Sequence, residues 1–534
     1  MAIRPIDRPA SCLYNPLLCF DSPQAITCHR KEQSPVSIRQ KLWNHNAIVF
    51  ISSACIMVIE LVAGRITAPQ LGVSLYTWTS IIGVVLAGIS LGNYLGGRLA
   101  DRFASEGFLG LIFSLASFAS LSILWLTNWA HEITPPDVPL MVWIVTYITA
   151  LFFLPSMVLG CISPLVVKLS LTDLKRTGTT VGKIYAWSSV GSIAGTFATG
   201  FFLISWFGTR TVVLLVAVIL FLVGLYFLSA KGWRWAILLL ILFALALGLL
   251  QWKHLLKSTC LRETNYFCIK VYEEEIEGTT VQKLILDRLV HSYVDLEDPT
   301  RLVYGYEQTY AAVLQPFLKQ HPDLRAFFIG GGGYTFPRYL EILYPQSRVD
   351  VAEIDPGVTE VAHEVLGLPR DTRIRTYTRD ARILVEEGTI RGPYEVVIGD
   401  AFNDYSVPYH LTTLEFNQAI ADMLTDDGLY VVNLVDSLRR GHFLRAYVRS
   451  LQRTFAHVAV IPVAEGWEQS VRTTFVVAAS QVPLDLSQVP DSGYTPWPEE
   501  ELAGFLAAEP PLILTDDYVP VDNLLAPVYQ DSDL

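Results

Sequence analysis

Seven segments of about twenty mostly apolar residues fill the first half of this chain, and nothing else in it restricts the fold as tightly. They run over 46–67, 76–100, 108–129, 138–165, 184–207, 211–228 and 233–251. A helix needs about 20 such residues to cross a hydrocarbon layer about 30 Å thick. The last two segments carry almost no polar side chain, which does not suit the core helix of a water-soluble protein. In lipid the backbone must satisfy its own hydrogen bonds, so the expectation is a multi-pass α-helical membrane domain.

The second half is a different material. Residues 1–251 hold 16 Lys and Arg against 9 Asp and Glu, a net of +7, whereas residues 252–534 hold 23 against 42, a net of -19. The averages, 51% hydrophobic and a net charge of -12, conceal that split. They still exclude a disordered chain. Seven Cys are too sparse for a disulfide scaffold and show no metal spacing, Cys260 and Cys268 included, so no metal site is expected. An acidic pI near 5.4 argues against nucleic acid as a partner. Residues 1–45 form a polar segment with six Lys and Arg and no signal-peptide pattern.

Within the spans, Gly92, Gly96 and Gly97, and again Gly191 and Gly195, predict close helix–helix approach. Glu60 needs a partner at membrane depth, and Arg65 is the candidate. The positive-inside rule puts the basic N-terminus in the cytoplasm, together with Arg98, Arg102, Lys168, Lys175, Arg176, Lys183, Lys231 and Arg234. Seven full spans then leave the acidic half on the other side.

From about residue 262 the pattern becomes that of a soluble α/β protein. Short strands are expected over 266–273, 281–287 and 290–294, forming a small β subdomain (262–299), then a helix over 300–320. The apolar run 327–329 leads straight into Gly330, Gly331, Gly332 and Gly333, and a helix pattern follows over 336–343. Strand, glycine turn and helix make a nucleotide-binding opening, because glycines let the backbone approach a ligand. Glu353 ends the next strand, 23 residues past Gly330, where an acidic residue can take both ribose hydroxyls. Ile354 follows it. Asp380 and Ala381 follow a third strand, at an adenine-edge position, and Asp400 ends a fourth. Ligands of open α/β sheets bind at such carboxyl ends.

These stretches, with 284–287 and 395–404, resemble spermidine synthase, the polyamine aminopropyltransferase family. The run from Gly96 to Arg102 looks like the loop between the second and third helices of major facilitator transporters. The whole chain is similar to bacterial membrane-bound spermidine synthase-like proteins. The implied fold is a multi-pass α-helical membrane domain (46–251) followed by an α/β Rossmann-like domain of the class I methyltransferase type (300–534), with the small β subdomain at its N-terminal side. The resemblance also implies roles. The four glycines, Glu353, Ile354, Asp380 and Ala381 bind the adenosyl donor. Asp400 is the catalytic carboxylate, and Asp404 helps hold the amine. Tyr304, Tyr306, Glu307 and His291 are substrate-binding positions. An acidic C-terminal run that includes Asp517 is expected to reach back toward a cationic polyamine.

The sequence departs from the family pattern at the acceptor and the donor tail. Gly333 stands where Asp is usual, which leaves room for the carboxylate of intact S-adenosylmethionine. Gly305 stands where a catalytic Tyr is usual, His291 replaces a Gln, and Tyr405 replaces a Pro. The implied activity is transfer of an aminopropyl group from decarboxylated S-adenosylmethionine to a diamine such as putrescine, releasing methylthioadenosine. A methyl- or alkyltransferase using S-adenosylmethionine on the same fold is the alternative, and a polyamine transporter or sensor is a second. The expected partners are a small amine, the lipid bilayer and a second copy in a homodimer. The expected place is the bacterial inner membrane. Because the donors are cytoplasmic metabolites, the catalytic half is expected in the cytoplasm, against the span count.

Overall fold

The computed structural model describes residues 45–131, 138–171, 174–229, 233–401, 407–470 and 472–529. The polar segment 1–44, Asp404 and Tyr405 lie outside them.

Among the described residues, seven helices are long and apolar enough to cross a membrane: α1 His45–Leu71, α2 Leu75–Phe103, α3 Glu106–Trp129, α4 Met141–Ser170, α5 Thr177–Phe207, α6 Thr209–Ser229 and α7 Trp233–Trp252. Glycines set how closely they pack. A Cβ on Gly92 would lie 2.1 Å from the Met157 carbonyl oxygen of α4, and one on Gly96 would lie 2.6 Å from Cys161 Cα. On α5, Gly191 and Gly195 bear on the Phe50 and Ala54 carbonyls of α1 at 2.3 and 2.6 Å in the same sense. Gly97 takes no part, since a Cβ there would meet nothing within 4 Å. At the far end of the bundle, Asp101 after the glycine run pairs with Lys168 of α4 at 2.9 Å.

Glu60 and Arg65 do not pair. Five residues along a helix turn a side chain about 140° away. Arg65 instead reaches out of the bundle to the backbone carbonyls of Thr264, at 2.8 Å, and Tyr266. The α/β half therefore docks at the end of the bundle where α1, α3 and α7 finish.

That half begins with an antiparallel meander of four strands, β1 Arg262–Glu263, β2 Cys268–Ile276, β3 Thr279–Leu286 and β4 Leu289–Val294. β1 pairs with β2 so that Glu263 faces Cys268, and a bend just before β1 brings Cys260 to a Cα–Cα distance of 5.3 Å from Cys268. The two form a disulfide, a pairing the sequence reading passed over for want of metal spacing.

Then come α8 Gly305–Gln320, β5 Arg325–Ile329, α9 Thr335–Leu343, β6 Arg348–Ala352, α10 Pro356–Glu364, β7 Arg375–Tyr377, α11 Ala381–Glu386 and β8 Tyr394–Gly399. β9 Leu424–Asp436, β10 His457–Pro462 and β11 Thr473–Ser480 complete a seven-stranded sheet in the order β10-β11-β9-β8-β5-β6-β7. β7, β6, β5, β8 and β9 run parallel, and β11 is antiparallel to both its neighbours.

Successive side chains of a strand face opposite sides. Phe327 and Ile329 thus enter one buried core, while Ala326 and Phe328 enter the other. Burial on both faces explains why these strands read as unbroken apolar runs. The second core also takes in Ile269, Leu284 and Val294, which fuses the meander to the sheet. The strand order reverses between β5 and β8, and a crevice opens there at the carboxyl ends.

Candidate adenosyl and amine site

The glycine turn after β5 is held on both sides of that crevice. Gly330 N–H donates to the Ala352 carbonyl at 2.9 Å, and Asp400 N–H donates to the Ile329 carbonyl at 2.8 Å. Gly330 has φ +100°, and a Cβ there would lie 2.3 Å from the Asp400 carbonyl oxygen, so no other residue fits.

Glu353 leaves β6 buried beneath the turn. Its Oε2 accepts from Gly331 N–H at 2.7 Å and its Oε1 from Asp355 N–H at 2.9 Å. Burial nevertheless pushes its carboxyl up to about 7. Asp380 caps α11 by accepting from Ile383 N–H at 3.1 Å, and its second oxygen meets His410 Nε2 at 2.8 Å. The His410 bond holds Asp380 below the usual carboxylate range.

A cavity of about 440 Å³ joins these groups. Gly330, Gly332, Glu353, Ile354, Asp380 and Ala381 line one stretch of it, and Asp400 and His291 line another. Gly331 and Gly333 are turned away. A Cβ on Gly333 would meet Ser292 Oγ at 2.4 Å and its Cβ at 2.7 Å. The space left by the missing Asp is therefore filled by Ser292, not kept open for a donor carboxylate.

Asp400 is half-buried at the wall of the cavity. Burial pushes its carboxyl up to about 6, while hydrogen bonds from Asn433 and Tyr306 pull the other way. Asn433 Nδ2 donates to Asp400 Oδ1 at 2.9 Å. Around it stand polar atoms that are buried and have no hydrogen-bond partner among the described residues: Glu307 Oε2, the Tyr310 hydroxyl, His291 Nε2 and Asn433 Oδ1. Burial, then the charge on Asp400, raises Glu307 well above the carboxylate range, so the pair carries one negative charge. Burial holds His291 down to about 4, which keeps its ring neutral. The Tyr306 hydroxyl shares its one proton between Asp400 and the His291 carbonyl, the latter at 3.0 Å. Rings of Tyr304, Tyr306, Tyr310 and Phe336 follow one another at 4.8, 5.3 and 5.4 Å between centroids. Tyr304 is a packing member of that row: its ring lies edge-on to Tyr293, and it does not line the cavity.

Asp517 does not reach the site. It is exposed in the turn closed by Thr515 and Tyr518. Its neighbour Asp516 anchors that turn by pairing with Arg382 of α11. Asp404 lies outside the described residues.

The sequence reading did not single out Asn433, His410 or Trp78, and it gave Arg65 another role. Asn433 is the one polar side chain in the run Leu429–Val435 apart from Tyr430, and a lone amide in an apolar strand is a usable signal. Trp78 and Arg65 come from the apolar helices, yet line the same cavity as Asp400. No local pattern announces that.

No family model matches the chain. A polyamine aminopropyltransferase of Vibrio vulnificus is 36% identical over 110 residues, 20% of this chain and 37% of the relative. The chain thus spans little more than a third of that protein. Polyamine aminopropyltransferase 2 of Streptomyces coelicolor is 25% identical over 417 residues, 72% of each chain. The crystal structure of a probable spermidine synthase from Corynebacterium glutamicum aligns with a TM-score of 0.41 at 24% identity, covering 46% of this chain and 93% of that one.

Proposed function

The chain is spermidine synthase-like, and we propose that it is a membrane-anchored aminopropyltransferase. It takes the aminopropyl group of decarboxylated S-adenosylmethionine to an amine such as putrescine. The observation that carries the reading is Asp400 on the cavity wall, bonded to Asn433 and electrostatically coupled to Glu307 and Tyr310, whose Oε2 and hydroxyl have no partner among the described residues. One carboxylate charge among groups that can accept hydrogen bonds suits an ammonium group, which gives up a proton before its nitrogen can attack. The adenosyl end of the donor fits the glycine turn, with Glu353 at the ribose and Asp380 at the adenine.

In the reaction, the amine nitrogen attacks the carbon next to the sulfonium. The carbon–sulfur bond breaks, and its electrons neutralise the sulfur of the departing methylthioadenosine. Asp400 accepts the proton that the nitrogen loses. A carboxyl poised near 6 is ionised at neutral pH and still basic enough for that task. Holding the nitrogen in line with the bond that breaks supplies much of the rate.

The seven apolar helices support insertion as a seven-span bundle. The α/β half docks at the end opposite the Asp101–Lys168 pair, and the basic residues around that pair mark the cytoplasmic end. Together with the Cys260–Cys268 disulfide, this supports a catalytic half on the oxidising side of the membrane, in place of the cytoplasmic location expected from its donors. The donor then has to be supplied on that side.

The test is to incubate the purified full chain with each donor and a panel of amines and to identify the nucleoside released. Methylthioadenosine supports the proposal. S-adenosylhomocysteine replaces it with methyl transfer, and adenosyl binding without any nucleoside product replaces it with a sensor.

A further inference from the structure

A second cavity, of about 430 Å³, lies where the helix bundle meets the β meander. Its charged lining is Arg65, Arg210, Lys253 and Lys270 against one carboxylate, Glu263. That carboxylate is already engaged: Oε2 accepts from Thr209 N–H at 2.7 Å and Oε1 from the Ser258 hydroxyl.

The hydrogen bonds of the two arginines go to neutral acceptors. Arg210, only 8% exposed, donates to the Leu255 carbonyl and to Asn128 Oδ1, each at 2.6 Å. Arg65 donates to the Thr264 and Tyr266 carbonyls, and its Nε is buried with no partner among the described residues. Lys270 is half-buried, and burial lowers its ammonium below the usual range, with the charge on Asp287 opposing. Glu263 partly offsets Arg210, and Asp287 and Asp355 partly offset Arg65 and Lys270, which leaves an excess of positive charge on the lining that a counter-ion would relieve.

The level of the cavity is marked as well. Trp125 and Trp129 stack at 6.5 Å between centroids on its wall and are about half exposed, while Trp252 is 74% exposed beside Lys253. Tryptophan concentrates where a bilayer meets water.

We propose that this junction cavity binds a phosphate group through Arg65, Arg210, Lys253 and Lys270. Guanidinium and ammonium donors converging on one pocket suit a multivalent oxyanion. The group is the headgroup of an anionic lipid or a free phosphate, and these share one chemistry. Arg65 also lines the adenosyl cavity, so the ligand would sit against the same side chain that braces the Thr264–Tyr266 segment.

The test uses the full chain, delipidated in detergent, and the variant Lys253→Gln/Lys270→Gln, neither residue being part of the transfer site. Retention of phosphatidylglycerol is measured by native mass spectrometry, and inorganic phosphate is titrated against the thermal midpoint. The wild type is expected to bind at least one probe about tenfold more tightly than the variant, a difference of about 1.4 kcal/mol. Lys253→Arg/Lys270→Arg is expected to restore the affinity. A difference confined to phosphatidylglycerol assigns a lipid, and one seen with phosphate assigns the free anion. Equal binding of both probes by wild type and Gln variant, or no binding of either, overturns the proposal.

Discussion

Asn433, near the end of β9, donates its side-chain amide to Asp400, just past the end of β8, at 2.9 Å. That bond favours the ionised form of a carboxyl that burial pushes up to about 6. Asn433→Ala removes it, so the carboxyl rises further. A base must be ionised to work, so activity is lost as pH falls through the folded-state value. The wild-type kcat/KM is expected to fall below about pH 6, and the variant's acid limb to begin at higher pH. A hydrogen bond to a charged group contributes about 1.5–3 kcal/mol, which predicts a loss of about sevenfold or more at pH 6. A pH–rate profile of both proteins checks this, and superimposable acid limbs would count against it.

Gly333 faces Ser292, not the donor cavity. Restoring the family's carboxylate with Gly333→Asp is therefore expected to overpack the turn, costing about 1–3 kcal/mol. No gain in preference for decarboxylated over intact donor should follow. Thermal unfolding and donor competition measure the two halves of this prediction.

Arg65 fastens α1 to Thr264, whose hydroxyl meets Asp355 Oδ2 at 2.5 Å, and Asp355 N–H in turn holds Glu353 at 2.9 Å. Through that series the apolar bundle braces Glu353, the position proposed for the ribose. Arg65→Gln is expected to raise the donor KM about tenfold, with kcat changed much less. Steady-state kinetics with varied donor tells the two apart, and a fall in kcat at constant KM would contradict the bracing role.

The proposed seven-span insertion and the Cys260–Cys268 disulfide share one expected consequence. A reporter joined after the C-terminus is expected to be active as alkaline phosphatase and dark as a fluorescent protein that matures only in the cytoplasm. Peptide mapping is expected to find both cysteines alkylated only after reduction. A cytoplasmic reporter with freely alkylated thiols would reverse the orientation.

What was legible in the sequence follows from range. The seven helices depend on local hydropathy, and their observed ends lie within a few residues of the expected ones, apart from the earlier start of α5 at Thr177. The glycine turn, Glu353, Asp380 and Asp400 stand at strand ends, so the alternation of strand and helix was enough to order them. Asn433, His410, Arg65 and Trp78 arrive by tertiary contact from 30 to more than 300 residues away, and no periodicity encodes such meetings. The Arg65–Glu60 pairing failed because adjacency along a helix was taken for adjacency around it. Asp517 failed for a related reason: its charge suited a polyamine, but Arg382 captures the neighbouring Asp516 and fixes the turn outside the cavity.

The central claim is that Asp400 takes the proton of an attacking amine while the adenosyl group is held elsewhere. The direct measurement is a single turnover of wild type and Asp400→Asn with decarboxylated S-adenosylmethionine and the best amine, beside donor binding by calorimetry. The account predicts methylthioadenosine release slowed at least a hundredfold in the variant, with donor affinity within a few-fold of wild type. Release at the wild-type rate would contradict it.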